Sequence, residues 1–188
     1  MGTVTSMGTM PIDTRPEEQR DRVAIADVVT RAFGSPAEAR LVDAIRSAPE
    51  YLPDLALVAV VDEKIVGHVM ISRCLVADEA GDSPPLPAAM LSPLAVDPDH
   101  QGEGIGARLV REVTDRAAAA GHPFVVLEGD PRYYSRFGFE PAPTYGLCLP
   151  LPDWAPPEAA QVLRLHPDAP LPSGRVVYPE AFDVLDDD

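Results

Sequence analysis

A short apolar strand, a glycine-rich turn and an amphipathic helix follow one another without a break from Leu91 to Ala120. That succession limits the chain to folds in which a strand feeds a crossover helix. Leu91, Leu94 and Val96 belong to the strand, and Pro93 within it predicts a bulge or a splayed edge, because proline donates nothing to a ladder. Asp97-Pro98 ends the strand. Beyond the turn, Ile105, Leu109, Val110, Val113, Ala117 and Ala120 recur at three- and four-residue steps, which places one apolar stripe on a helix. The opposite face carries Arg108/Glu112, Arg111/Asp115 and Glu112/Arg116, each pair one turn apart. Gly121 and Pro123 stop the helix.

Between strand and helix stands Gln101-Gly102-Glu103-Gly104-Ile105-Gly106. Glycines here remove the Cβ atoms that would hold a ligand off the backbone. The first N–H groups of the helix have no internal partner and lie at the positive end of its dipole, so the turn suits a phosphate or pyrophosphate.

The formal charge of −15 disfavours nucleic acid and anionic membrane surfaces as partners and favours a cationic substrate such as an amine. No apolar run is long enough to cross a bilayer, and no secretory signal is visible, so a cytoplasmic home is expected. Cys74 and Cys148 lack metal or redox spacing and read as reduced core thiols. The four histidines are scattered, and no metal site is expected. At 188 residues the chain is expected to form one domain, 1–188, with 1–14 frayed.

In chain order, Val23, Ile25, Ala26, Val29 and Phe33 make a helical stripe that Gly34 ends. Ser35-Pro36 then caps a second helix with Ala39, Leu41, Val42 and Ile45 inward and Glu38, Arg40, Asp43 and Arg46 outward. Leu55–Val61 and Ile65–Val76 read as a hairpin around Asp62-Glu63-Lys64, and Asp78–Pro87 as a loop. Phe124–Glu128 is a strand parallel to the one ending at Val96. Pro131 opens a short helix that Gly138 closes. The proline-dense stretch 141–188 supplies further strands at Thr144–Leu149, Gln161–Leu165 and Gly174–Tyr178 and completes the sheet.

A Walker A loop needs Gly-Lys-Ser/Thr, but Lys64 is the sole lysine. A dinucleotide fold would use Glu128 on a ribose, yet the turn reads G-x-G-x-G and no second βαβ half follows. The turn, preceded by Val96-Asp97-Pro98, resembles the acetyl-CoA motif Gln/Arg-x-x-Gly-x-Gly/Ala of the GNAT superfamily of N-acetyltransferases. Tyr134-Ser135-Arg136-Phe137-Gly138-Phe139 resembles that family's later motif, and the order of elements matches from about Ile12 to Glu140. GDPRYYSRFGF with YPEAF at Tyr178–Phe182 is similar to the YhbS-type branch.

The resemblance implies an α/β (α+β) domain: a mixed, mostly antiparallel twisted sheet of about six or seven strands with a splayed parallel pair, flanked by about four helices. It implies acetyl-CoA as cosubstrate and transfer of the acetyl group to a primary amine of a small molecule or protein. The alternative is an acyl-CoA-binding sensor without transfer. Backbone groups of Leu94, Ala95 and Val96 would hold the pantetheine arm, and one would polarise the thioester carbonyl. Gln101, Gly102, Glu103, Gly104, Ile105, Gly106 and Ala107 would wrap the pyrophosphate. Tyr134 would protonate the leaving thiolate if hydrogen bonding and the nearby helix terminus assist, against the competing role of a core tyrosine packed on Tyr133. Glu128 leads as general base, against a solvated or salt-bridged carboxylate, with Glu38 and His68 behind it; His68 also reads as a satisfied strand histidine. Phe137 and Phe139 are assigned to the core and Trp154 to cover of a sheet edge. An asparagine that many members carry after the fifth strand is replaced by Gly129-Asp130-Pro131. Monomer and homodimer are both compatible with the sequence.

Overall fold

The computed structural model describes residues 11–78 and 83–185. Its elements are β1 (Asp13–Pro16), α1 (Arg22–Phe33), α2 (Ala37–Ser47), β2 (Ala56–Val61), β3 (Lys64–Ala77), β4 (Leu86–Val96), α3 (Ile105–Ala119), β5 (Phe124–Glu128), α4 (Pro131–Tyr134), β6 (Glu140–Pro141), β7 (Leu147–Cys148), β8 (Ala160–Arg164) and β9 (Gly174–Val177). A 3-10 turn at Glu180–Leu185 follows. The described strands form one mixed sheet in the order β1-β2-β3-β4-β5-β8-β6, with β9 joining β3 and β7 joining β9. Its nine strands exceed the expected count because β1, β6 and β7 have two to four residues each, too few for a period-two pattern to show. Asp13 and Thr14, expected to be frayed, pair with Val60 and Ala59 in β1; residues 1–10 of that stretch lie outside the described residues.

α3 covers one face through Ile105, Leu109, Val110, Val113 and Ala117, as its stripe predicted, except that Ala120 is exposed. α1 and α2 cover the other with Ile25, Val28, Val29, Leu41, Val42 and Ile45. The α1 stripe is thus corrected: Ile25, Val28 and Val29 share a face, whereas Val23 is 83% exposed and Phe33 45% exposed. Gly34 closes α1 at φ 73°, and the Ser35 hydroxyl accepts from the Ala37 N–H at 3.1 Å. The β2–β3 hairpin turns through Asp62 and Glu63 at φ 47° and 62°, left-handed geometry without glycine.

Pro93 acts as the sequence predicts, whereas Pro87, expected in the loop, pairs with Leu75 within β4. Val69 pairs with Leu94 and Ile71 with Leu91, so Met70 faces both Ser92 and Pro93 across a bulge. β4 and β5 run parallel, but pairing is confined to Ala89–Val125 and Met90–Val126. From Leu91 onward the two strands part, and the β4 edge facing β5 has no ladder partner among the described residues.

Six further assignments need correction. Arg46, expected outward, has a side chain only 3% exposed because Glu17 awaits it, while Cys148 and Trp154, expected buried or covering, are exposed. Phe137 is only half-buried, whereas Phe139 is a core residue as expected. The Asp78–Pro87 loop gives way to β4 at Leu86, and its residues 79–82 lie outside the described residues. The expected strand Thr144–Leu149 shrinks to β7, because Ala142–Tyr145 form a 3-10 turn.

Candidate active site

The turn after β4 folds as its glycines allow. Gly102 and Gly104 both stand at φ 83°, with open space where a Cβ would project, and Gly104 is the N-cap of α3. The first N–H groups of α3 therefore point out of the helix into a cleft of about 550 Å³. Gln101, Gly102, Gly104, Ile105, Gly106 and Ala107 line the cleft from the turn, and Leu94 and Val96 from β4. The side chains of two further residues, whose predicted contribution is through the backbone, turn elsewhere. Ala95 points the other way, into the α1–α2 core, since neighbouring strand residues alternate faces. Glu103 turns outward, 3.2 Å from Nδ1 of His100. The Gln101 amide steadies the entry to the turn by donating to the Val96 carbonyl at 3.3 Å.

Gly106 has a second reason to be glycine: a Cβ there would lie 2.5 Å from the Tyr133 hydroxyl. Gly129 serves Tyr134 likewise, since its Cβ would come 2.4 Å from that ring. The two tyrosine rings meet edge to face with centroids 4.9 Å apart. Tyr133 faces the glycine cleft, and Tyr134 faces a second cavity of about 400 Å³. Phe33 and Leu94 border both spaces, so the cavities adjoin where β4 leaves β5.

The second cavity brings together Tyr134, Glu128 and Glu38, which the sequence offered separately. Burial pushes the Tyr134 phenol well above its usual range, with the neighbouring Tyr133 adding to it. The assistance expected from hydrogen bonding is therefore not supplied by the described residues: Tyr134 is held protonated, not acidified. Burial also raises the Glu128 carboxyl, against a hydrogen bond from the Tyr178 hydroxyl to Oε1. Oε2 of Glu38 is shielded from solvent and accepts no hydrogen bond among the described residues. His68 is a fully buried strand histidine satisfied at one nitrogen only, with Nε2 2.9 Å from Glu17 and Nδ1 without a partner among the described residues, and it borders neither cavity.

Arg136 and Tyr178 were not singled out from the sequence. Arg136 borders the glycine cleft, stacked 4.4 Å over the Tyr133 ring with Nε donating to the Tyr133 carbonyl at 3.0 Å. Its place inside the Tyr134-to-Phe139 motif was a usable signal. Tyr178 meets Glu128 across 50 residues, a separation that carries no local pattern.

The family described as Acetyltransferase (GNAT) domain matches residues 13–142. The chain is 38% identical over 172 residues to the uncharacterized N-acetyltransferase YhbS of Escherichia coli (strain K12), covering 89% of this chain and 96% of that one. A crystal structure of Escherichia coli YhbS in complex with CoA superposes with a TM-score of 0.81 at 36% identity, covering 93% of each chain. A GNAT family acetyltransferase from Brucella melitensis in complex with acetyl-CoA gives a TM-score of 0.74 at 33% identity, covering 93% of this chain and 99% of that one.

Proposed function

Because the chain belongs to the GNAT acetyltransferase family, we propose that it moves the acetyl group of acetyl-CoA to the primary amine of an acceptor by direct attack on the thioester. The observation that carries this reading is the junction of two cavities at the β4–β5 gap: one bordered by a glycine turn, the other by the Tyr134 phenol and the half-buried Glu128 carboxyl. The relatives crystallised with CoA and acetyl-CoA supply the donor.

In this reading the N–H groups at the start of α3 take the pyrophosphate, and Arg136 adds positive charge beside it. The unpaired edge of β4 receives the pantetheine arm as an added strand, and one of its N–H groups polarises the thioester carbonyl. The acceptor enters from the second cavity. Its ammonium gives a proton to Glu128, whose raised pKa suits a base working near neutral pH. The nitrogen lone pair forms the N–C bond, the C–S bond breaks as Tyr134 transfers its proton to the departing sulfur, and the second proton on the acylated nitrogen returns to the Tyr134 oxygen, leaving a neutral amide and the CoA thiol. Burial raises the phenol and would raise the departing thiol alike, so it keeps Tyr134 protonated until the sulfur leaves without by itself driving the transfer.

The test is thiol release from acetyl-CoA over a panel of amines. Tyr134→Phe is expected to lower kcat about a hundredfold while acetyl-CoA affinity is kept. An unchanged kcat removes the acid role of Tyr134, and failure to bind CoA at millimolar concentration removes the whole reading.

A further inference from the structure

The wall of the second cavity opposite Tyr134 comes from the end of the chain, outside the residues 13–142 that match the family. After β9 the chain passes Tyr178 and Pro179 and winds into the 3-10 turn Glu180–Leu185, which lays Phe182 against α2 and the sheet. Phe182 is 8% exposed, and its ring packs 5.1 Å from that of Tyr178. This packing fixes where the Tyr178 hydroxyl points, and it points at Oε1 of Glu128. Phe182 and Leu185 line the cavity together with Phe33, Leu41 and Met90, so its body is apolar.

Its charged lining is of one sign. Glu38, Glu128 and Asp130 border the space, and no Lys, Arg or His does among the described residues. Asp130 is already occupied, capping α4 and pairing with Arg132 at 3.0 Å. Glu128 keeps one oxygen beyond the one Tyr178 holds, and Glu38 has its shielded, unpartnered Oε2. A carboxylate withdrawn from water without a partner is costly, so a cationic occupant is the group that would relieve both. An acceptor with its own carboxylate would place a further negative charge among them.

We propose that Tyr178 is a positioning residue for Glu128, and that the segment Tyr178 to Leu185 makes this cavity selective for a primary ammonium on a compact apolar body without an adjacent carboxylate. The proposal rests on the acetyltransferase reading and deepens it by naming the acceptor class. Tyr178 acts by holding one carboxylate oxygen so that the other faces the amine. The titratable groups bordering the same cavity as Glu128 are Tyr178 from the C-terminal segment, Tyr134 from α4, Glu38 from α2 and Asp130 from the turn after β5. Of these, Tyr178 favours the ionised form of Glu128 through its hydrogen bond.

The test is calorimetry on the full chain saturated with CoA, with phenethylamine and phenylalanine as probes. Phenethylamine is expected to bind at least roughly tenfold more tightly than phenylalanine. Tyr178→Phe should weaken phenethylamine about tenfold and move the acidic limb of its pH–affinity profile to higher pH, because Glu128 then ionises less readily. Glu38→Gln should weaken it to a similar degree. Unchanged CoA affinity in both variants shows that the fold persists. Equal binding of phenylalanine, no binding of phenethylamine to CoA-loaded protein, or a Tyr178→Phe profile whose limb stays in place overturns the proposal. Loss of CoA binding by the unaltered protein would instead overturn the acetyltransferase reading.

Discussion

Two glutamates in this molecule are withdrawn from water and accept a tyrosine hydroxyl, yet they end on opposite sides of the ordinary carboxylate range. Glu17, after β1, takes the Tyr51 hydroxyl at 2.8 Å, and Glu128, at the end of β5, takes that of Tyr178. Burial pushes both upward. At Glu17 that push is overcome: Arg46 donates through Nε at 2.7 Å and Nη2 at 2.8 Å, His68 adds a bond at 2.9 Å, and the carboxyl is held far below its usual range. At Glu128 the tyrosine bond alone opposes burial, and the carboxyl stays raised. Burial decides how strongly a carboxylate needs a partner, and the partner decides whether it becomes structural or reactive. Since Glu17 can only accept, Nε2 of His68 carries the hydrogen, and burial keeps that ring neutral with Nδ1 unpartnered.

The comparison breaks most visibly at Arg46. Arg46→Met leaves Glu17 buried beside neutral donors and is expected to lower unfolding free energy by about 3–5 kcal/mol, read by denaturant titration. A change under about 1 kcal/mol would mean that Arg46 does not set the state of Glu17. The same pair gives a pH dependence of definite sign. The folded pKa of Glu17 lies below the unfolded value near 4.5, so its contribution is complete above that value and is lost as pH falls through the folded pKa. Glu17→Gln should flatten the acid side of the stability curve.

Glu128→Gln should act in the opposite manner. Its folded pKa is raised, so any stabilisation from this group is present below the unfolded pKa and lost as pH rises through the folded one. Near neutral pH the variant is expected to be at least as stable as the parent in thermal melts, while kcat/KM for an amine falls about a hundredfold. A variant both active and less stable would make Glu128 structural, like Glu17. The smallest effect belongs to Tyr51→Phe, where Arg46 and His68 remain in place. A loss of about 1 kcal/mol in stability with no change in turnover is expected. Altered turnover would show that the Glu17 cluster reaches the active site.

What was legible in the sequence lies within single elements. The bulge at Pro93, the stripe of α3, the glycine turn and the two tyrosines after β5 are written at spacings of a few residues, and each appears where its spacing puts it. Val23 and Arg46 were misplaced because helical periodicity assigns a face without saying what stands opposite. Arg46 turns inward only because Glu17, 29 residues earlier, meets it there.

By itself the sequence determined the strand–turn–helix unit with its outward-facing N–H groups, since glycine conformation, helix termini and apolar period are properties of neighbouring residues. Tertiary structure alone decided which carboxylate would be neutralised and which left open. Glu17 met a guanidinium and Glu128 met only a phenol from the far end of the chain, and no local spacing records which partner a fold will deliver.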